Sequence, residues 1–455
     1  MYKAYITYLK NIKAHPNADR LNIAEAFGNP VIVSKDYNEQ TLYIYFPSDG
    51  QLSVEYATVN NLVRKKDEAG NQVGGYLDPS KRNITAIRLR GERSDGLIMP
   101  LSSLEFTGVD INEFKNGDVI DIVNGVEICR KYIPRSNRSG RATGSNGNKT
   151  RKKKAPIAPL FAEHADTQQL QYNLSAFKPG DLIEITEKCH GTSARTGYLP
   201  VLKGFKRSLL DIILRRDGKP IYDWGYESGT RRTVLEDFEG GYYGSNAFRE
   251  QHSKIFEGKL HKSETIYGEI VGFTDNGTPI MPVCQNKKLN DKEFIKKYGE
   301  TTVFSYGCTP SGKKTIYGED DISKFAVDID MPQSDFYAYR MTSTNEDGDV
   351  IEYSPEQLKF RCEQMGIKTV PLLWKGFIPE DVENAGEWVL DLANGLIDGP
   401  STIDTTHIRE GVVVRIVNRS KLESYKYKSF NFKLLEGIIK NDATQPDMEE
   451  AEGEK

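Results

Sequence analysis

The sequence predicts an α+β chain in which a small all-β unit precedes a larger unit of mixed strands and helices. Three observations predict it. Short alternating runs bounded by turn residues fill positions 1–134. Longer strand-like and helix-like runs fill 155–440. Between them, at 135–154, lies a segment that cannot bury enough apolar surface to offset its ordering entropy.

The first unit carries TLYIYF (Thr41–Phe46) and NITAIRLR (Asn83–Arg90), separated by turn signals such as PSDG (Pro47–Gly50). Several short strands within one small unit suggest a small barrel or sandwich. Lys81, Arg82, Arg88, Arg90 and Arg93 crowd one stretch of it. Such a basic rim suits a phosphate backbone, and equally suits a strand edge protected from pairing by charge. The segment 135–154, RSNRSGRATGSNGNKTRKKK, holds eight basic residues and no acidic one, and reads as a flexible linker. The strand-like pieces of the second unit are Asp181–Lys188, Glu264–Phe273, Asp335–Met341 and Glu410–Val417. Its helix-like pieces are Ser354–Gly366, with Ser as N-cap, Pro at the first helical position and Gly at the end, and Pro379–Gly395. The stretch 441–455 reads as an acidic disordered tail.

Composition excludes several classes. No run approaches the roughly 18 apolar residues of a membrane span, and the first residues lack a signal peptide's apolar core. Five cysteines without a CxxC pair exclude a zinc ribbon and disfavour a disulfide scaffold. A cytoplasmic protein is the expectation. The net charge of −4 sums a basic linker, an acidic tail and an acidic body, so it does not exclude a nucleic-acid partner.

The most informative segment is EITEKCHGTSAR (Glu184–Arg195). A strand ends at Lys188, and Gly191 lets the backbone come close to a ligand. A lone K-x-x-G string is weak, but an ordered series follows it. YGE (Tyr267–Glu269) comes first, then the aromatic strand FYAYR (Phe336–Arg340), then REGVVVR (Arg409–Arg415). Last is YKYK (Tyr425–Lys428), whose two lysines share one strand face.

That order resembles the motif series of the covalent nucleotidyltransferases, and its detail resembles ATP-dependent RNA ligases of the nick-sealing type. EKCHGTS is similar to their first motif, with His190 two after the lysine. IYGEIVG and SYKYKSFNF are similar to later motifs, and SGTRR (Ser228–Arg232) to the one with an arginine after the nucleophile. Only 27 residues follow Lys428, too few for a barrel there, so the small β unit precedes the catalytic one. That order is similar to the branch with an N-terminal OB domain. HPNADRL (His15–Leu21) resembles a string of RNA-binding OB modules. The fold implied is a nucleotidyltransferase domain, ATP-grasp-like, of antiparallel sheets with helices, preceded by an OB-fold barrel.

The resemblance implies ATP-driven joining of an RNA 3′-hydroxyl to a 5′-phosphate, with Mg²⁺ or Mn²⁺ and with RNA ends or a nicked RNA duplex as partner. No membrane or stable protein partner is implied. Lys188 would form lysyl-AMP, with Lys426 and Lys428 on the α-phosphate. These cations and the metal would also favour the neutral lysine that attack requires. Glu187 would accept from the adenine amine, with His190 and Gly191 beside the nucleotide. Arg231, or Arg232, would contact the ribose or the RNA 5′-phosphate. Glu269 would bind the ribose or metal-bound water, and Glu410 the metal. Tyr339 or Tyr337 would stack on adenine. Arg88, Arg90 and Arg93, with Arg231, would contact RNA. Cys189, next to the nucleophile, points to the other face of its strand and is expected to be packing. A DNA ligase and an inactive OB-containing RNA-binding protein are the alternatives.

Overall fold

The computed structural model describes residues 2–48, 50–66, 72–75, 77–90, 92–132, 155–165, 167–208, 218–235, 238–240, 243–289, 291–317, 326–419 and 421–441. The expected linker at 135–154 and nearly all of the acidic tail lie outside them. The chain divides into two compact units. One is Met1–Arg135 with Lys433–Gln445, the other Ser136–Phe432 with Pro446–Lys455. The final helix, Phe430–Asn441, therefore does not belong wholly to the second unit.

The first unit is rich in short strands. A four-stranded antiparallel sheet runs in the order Leu97–Pro100, Leu42–Phe46, Ala4–Tyr8, Val119–Ile120. A three-stranded sheet joins Lys10–Ala14, Leu21–Ala26 and Asn29–Ser34. Ile6, Ile44, Phe46, Tyr56, Leu104 and Ile128 form its core. Among the described residues these sheets and several two-stranded ribbons do not close into one hydrogen-bonded ring. Lys433 pairs with Asp95 inside this unit at 2.6 Å.

The second unit is built on two sheets. The five-stranded sheet runs Gln168–Gln169, Glu423–Lys428, Gly411–Ile416, Leu182–Lys188, Leu372–Phe377. Ile183, Ile185, Val412, Val414, Tyr425 and Tyr427 point to one side of it and pack on the helix Ala385–Ile397. The six-stranded sheet contains Lys219–Gly229, Thr192–Lys206, Glu264–Gly272, Ser334–Thr344 and Val350–Glu352, with Lys368–Thr369 paired off its path. Both sheets are antiparallel apart from the pairings of Gln168–Gln169 and Lys368–Thr369. This is the α+β, antiparallel architecture expected.

The local signals explain the helix ends. Ser354 accepts from Gln357 N in a full capping box, Pro355 opens the helix Pro355–Met365, and Gly366 ends it at φ 71°. The second helix starts later than the expected Pro379. Asn384 accepts from Glu387 N at 3.1 Å, and that cap sets its first turn.

Candidate active site

Strand alternation decides which side chains meet. Across the five-stranded sheet, one face carries three successive rows. Lys375, Glu184 and Arg415 are register partners, with Ser424 opposite Arg415. Two residues along Leu182–Lys188, and three along Leu372–Phe377 because the register shifts between Ile185 and Thr186, Leu372, Thr186, Val413 and Lys426 form the next row. Two further along come Lys188 and Lys428, both paired to Gly411. All but Gly411 and Lys428 line a cleft of about 420 Å³ in the second unit. Residues of the six-stranded sheet, Ser193, Glu269, Ala338, Tyr339 and Arg340, line it as well, with Arg231 and His164.

At the inner end, Lys188 Nζ donates to Glu410 Oε2 at 2.8 Å, and Lys428 Nζ lies 3.1 Å from Oε1. His190 Nδ1 lies 3.6 Å from the same Oε2. Its ring meets the edges of Phe304 and Phe432 at 4.8 and 4.6 Å. Glu410 is completely buried. Burial opposes its charge, yet Lys188, Lys428 and His190 together hold the carboxyl far below its ordinary value. The site thus keeps a buried anion ionised by two ammonium groups, an arrangement stable only while all three are present.

Gly191 has a steric reason to be glycine. A Cβ there would lie 2.3 Å from Ile270 O and 3.0 Å from Glu269 Cγ, so only glycine lets the turn after Lys188 lie against the neighbouring strand. Arg249 holds the same turn, donating to Ser193 O at 2.8 Å and to Thr192 Oγ1 at 2.5 Å. Ser193 Oγ donates to Glu269 Oε2 at 3.4 Å. Arg195, buried, donates to Ala162 O at 2.5 Å and Arg232 O at 3.2 Å, which fixes the segment carrying Arg231. Of the two candidate arginines, Arg231 lines the cleft.

The structure separates the two candidate tyrosines. The pairing passes from Tyr267↔Arg340 to Gly268↔Ala338, which leaves Tyr339 as an extra residue. That bulge breaks the period-two equivalence of Tyr337 and Tyr339. Tyr339 lines the cleft beside His164, with ring centroids 5.0 Å apart. Tyr337 is buried beneath Lys368.

One expectation is corrected. Glu187 shares the core face of its strand with Ile183 and Ile185 and is paired to the buried Val412. Its Oε2 accepts from Thr402 N at 2.8 Å and Thr402 Oγ1 at 2.6 Å. The carboxylate is therefore held away from the face that carries Lys188, because adjacent strand residues point to opposite sides. Glu187 still contributes to the cleft lining, and the carboxylate on the same strand face as Lys188 is Glu184, three residues earlier. Nothing local in the sequence marked Glu184, Lys375, Arg415 or His164 as part of this site; only the register brings them in. Cys189 is buried with its thiol pushed well up by burial, as befits packing. All five cysteines are buried, and none is in a disulfide.

In the first unit, Arg93 is the register partner of Arg88 across a two-stranded ribbon. Arg90, at φ 50°, donates from Nη1 to Asn17 O at 3.1 Å and accepts from Asn17 Nδ2 at 2.9 Å. His15 is buried with Nε2 3.1 Å from Leu89 O. The HPNADRL string thus clasps the turn of the arginine ribbon.

A lysine thus ends one strand of the five-stranded sheet, and two more lie on another strand of the same sheet. The model of the RNA ligase family matches residues 181–428, more than half of the chain, and the chain belongs to that family of enzymes. No curated protein sequence matches it. Solved structures of the Naegleria gruberi RNA ligase resemble it over nearly the whole length. A lysine-to-methionine variant with AMP and Mn has a TM-score of 0.53 at 16% identity, covering 95% of this chain and 98% of its own. A lysine-to-alanine variant with ATP and Mn has a TM-score of 0.52 at 16% identity, covering 98% and 99%. At that identity the likeness is one of fold. No described helix is long and apolar enough to cross a membrane.

Proposed function

We propose that the chain seals RNA ends by adenylyl transfer through Lys188. The observation that carries this reading is the placement of Lys188, Lys426 and Lys428 on one face of one sheet, around the buried Glu410. Lys188 Nζ, once deprotonated, attacks the α-phosphorus of ATP; a P–N bond forms and pyrophosphate leaves. An oxygen of the RNA 5′-phosphate then attacks the lysyl-AMP phosphorus, freeing the amine and capping the RNA with AMP. The RNA 3′-hydroxyl finally attacks that 5′-phosphate, AMP departs and a phosphodiester bond remains. Lys426 and Lys428 offset the charge that builds on the transferred phosphoryl group. Tyr339 stacks on the base, with Val413 opposite it in the cleft, and Arg231 and Glu269 hold the ribose or the incoming 5′-phosphate.

The residues fit a hard divalent cation. No group of three or more His, Cys, Asp or Glu side chains gathers among the described residues. Mg²⁺ is bound through one or two carboxylates together with substrate phosphates and water, and Glu410 and Glu269 are oxygen donors of that kind. Bound there, Mg²⁺ or Mn²⁺ supplies positive charge to the phosphates. The Naegleria gruberi structures with ATP and Mn support the choice of nucleotide and ion. The N-terminal unit, read as an OB module, positions RNA through the basic stretch that carries Arg88, Arg90 and Arg93, since cationic side chains suit a phosphate backbone.

Incubation with α-labelled ATP and Mg²⁺ or Mn²⁺ tests the reading. Wild type is expected to retain label on Lys188, and Lys188→Ala none. Equal labelling of the two proteins refutes it. Matched all-RNA and all-DNA nicks then separate an RNA ligase from a DNA ligase, with sealing expected on RNA 3′-ends.

A further inference from the structure

The cleft has a charged end that phosphoryl transfer does not use. Glu184 is buried, and its Oε1 lies 2.8 Å from Lys375 Nζ. On its other side, its register partner Arg415 donates from Nη2 to Tyr353 O at 2.7 Å. Arg415 Nε is buried with no hydrogen-bond partner, although Arg415 lines the cleft. A buried guanidinium N–H without an acceptor costs free energy unless something supplies one. Lys375, Glu184 and Arg415 thus form a row of donor, acceptor and donor across three adjacent strands.

Its place along the strands suggests what it meets. Lys188, where the α-phosphorus would be attached, ends the strand. Thr186 and Val413 are one row inward, facing the side that carries Tyr339. Glu184 is one row beyond them, about 13 Å from Lys188 along the strand at 3.3–3.4 Å per residue. A nucleotide whose phosphate is at Lys188 and whose base lies over Thr186 and Val413 turns the far edge of that base toward Glu184. Adenine presents an amine donor beside ring-nitrogen acceptors, whereas guanine presents a carbonyl acceptor where adenine has the amine. A carboxylate flanked by cationic donors is complementary to the first pattern and repels the second.

We propose that Glu184 and Arg415 read the adenine edge of the nucleotide, Glu184 accepting from the exocyclic amine and Arg415 Nε donating to a ring nitrogen. They take the role that the motif resemblance assigned to Glu187. The proposal rests on the ligase reading of the same cleft, and Lys375 acts as a positioning residue that holds Glu184.

The experiment measures lysyl-nucleotide formation, as kcat/KM, by the full-length protein. ATP is compared with GTP and with the triphosphate of purine riboside, which lacks the amine. Wild type is expected to prefer ATP over both by tenfold or more. In Glu184→Gln, whose amide can donate or accept, both preferences should shrink at least tenfold while the protein still labels. Arg415→Lys keeps the charge but removes Nε–H, and should lower kcat/KM for ATP without restoring the use of GTP. If Glu184→Gln reacts more slowly but keeps the wild-type ratios, the row is structural and the proposal is overturned. Should Glu184→Gln fail to fold, unaltered ATP kinetics in Arg415→Lys overturn it instead. A wild-type protein that labels with no nucleotide breaks the ligase reading, a different failure from either of these.

Discussion

The cleft of the second unit and the arginine ribbon of the first use charge in opposite ways. In the cleft, Glu410 is completely buried and its two lysine partners are only 13% and 11% exposed. Glu410 is matched at close range by Lys188 and Lys428. In the ribbon, Arg90 and Arg93 are exposed, and Arg93 is the register partner of Arg88. Buried, matched charge is preorganised: it costs desolvation and holds groups where a reaction needs them. Exposed basic charge orders little, but it attracts a polyanion in a salt-dependent way. On the proposed function the cleft carries the chemistry and the ribbon captures RNA, and each half can be broken by itself.

The largest effect is expected at the centre of the cleft. Glu410→Gln leaves Lys188 and Lys428 mostly buried without their anion, which costs about 3–5 kcal/mol for a broken buried pair. Thermal unfolding should show a clear drop in Tm, and labelling by ATP should fall to background. A variant as stable as wild type would show that the pairing is not a feature of the folded protein.

The same pair sets a pH dependence. The folded-state value of Glu410 is depressed from 4.5, so its contribution is complete above about pH 4.5 and is lost as pH falls toward the folded value. The stability gap between wild type and Glu410→Gln should therefore be constant from pH 7 to about 5 and close below that. A gap that widens in acid contradicts the assignment.

Gly191→Ala is a smaller test of the same region. Its Cβ would strike the backbone oxygen of Ile270, and overpacking of this kind costs about 1–3 kcal/mol. Because the turn carries Lys188, labelling should slow more than global stability falls. Equal losses would remove the local explanation.

Last in size for stability, Arg93→Glu should move Tm by less than about 0.5 kcal/mol in equivalent free energy. It should leave labelling unchanged, weaken RNA binding, and lower the slope of log affinity against log salt by about 0.7 for each phosphate contact removed on a single strand. Unaltered RNA affinity would detach the ribbon from substrate capture and leave it as a protected strand edge.

Much of the site was legible because its residues are set by short-range patterns. A lysine at a strand end, a glycine three later, and two lysines two apart on one strand face are local facts, and the structure gathers Lys188, Lys426 and Lys428 on one face. The helix Pro355–Met365 was legible for the same reason, since its cap, its first-turn proline and its terminal glycine act within a few residues. The second helix was placed too early because a proline can open a helix without doing so, and Asn384 offered the better cap.

The sequence by itself determined the family and the order of the strands that carry the chemistry. Only the tertiary structure decided which acid shares the strand face of Lys188, which tyrosine lines the cleft and what balances Glu410. Glu187 and Glu184 lie on one strand, and the choice between them follows from which face the neighbouring strands and the helix Ala385–Ile397 bury. Tyr339 is set apart from Tyr337 by one extra residue opposite Tyr267 and Gly268, a bulge that period-two reasoning passes over. Glu410 meets Lys188 across 222 residues of chain. Register, bulges and such long-range pairing arise from how strands distant in sequence fit together, and no local pattern encodes that fit.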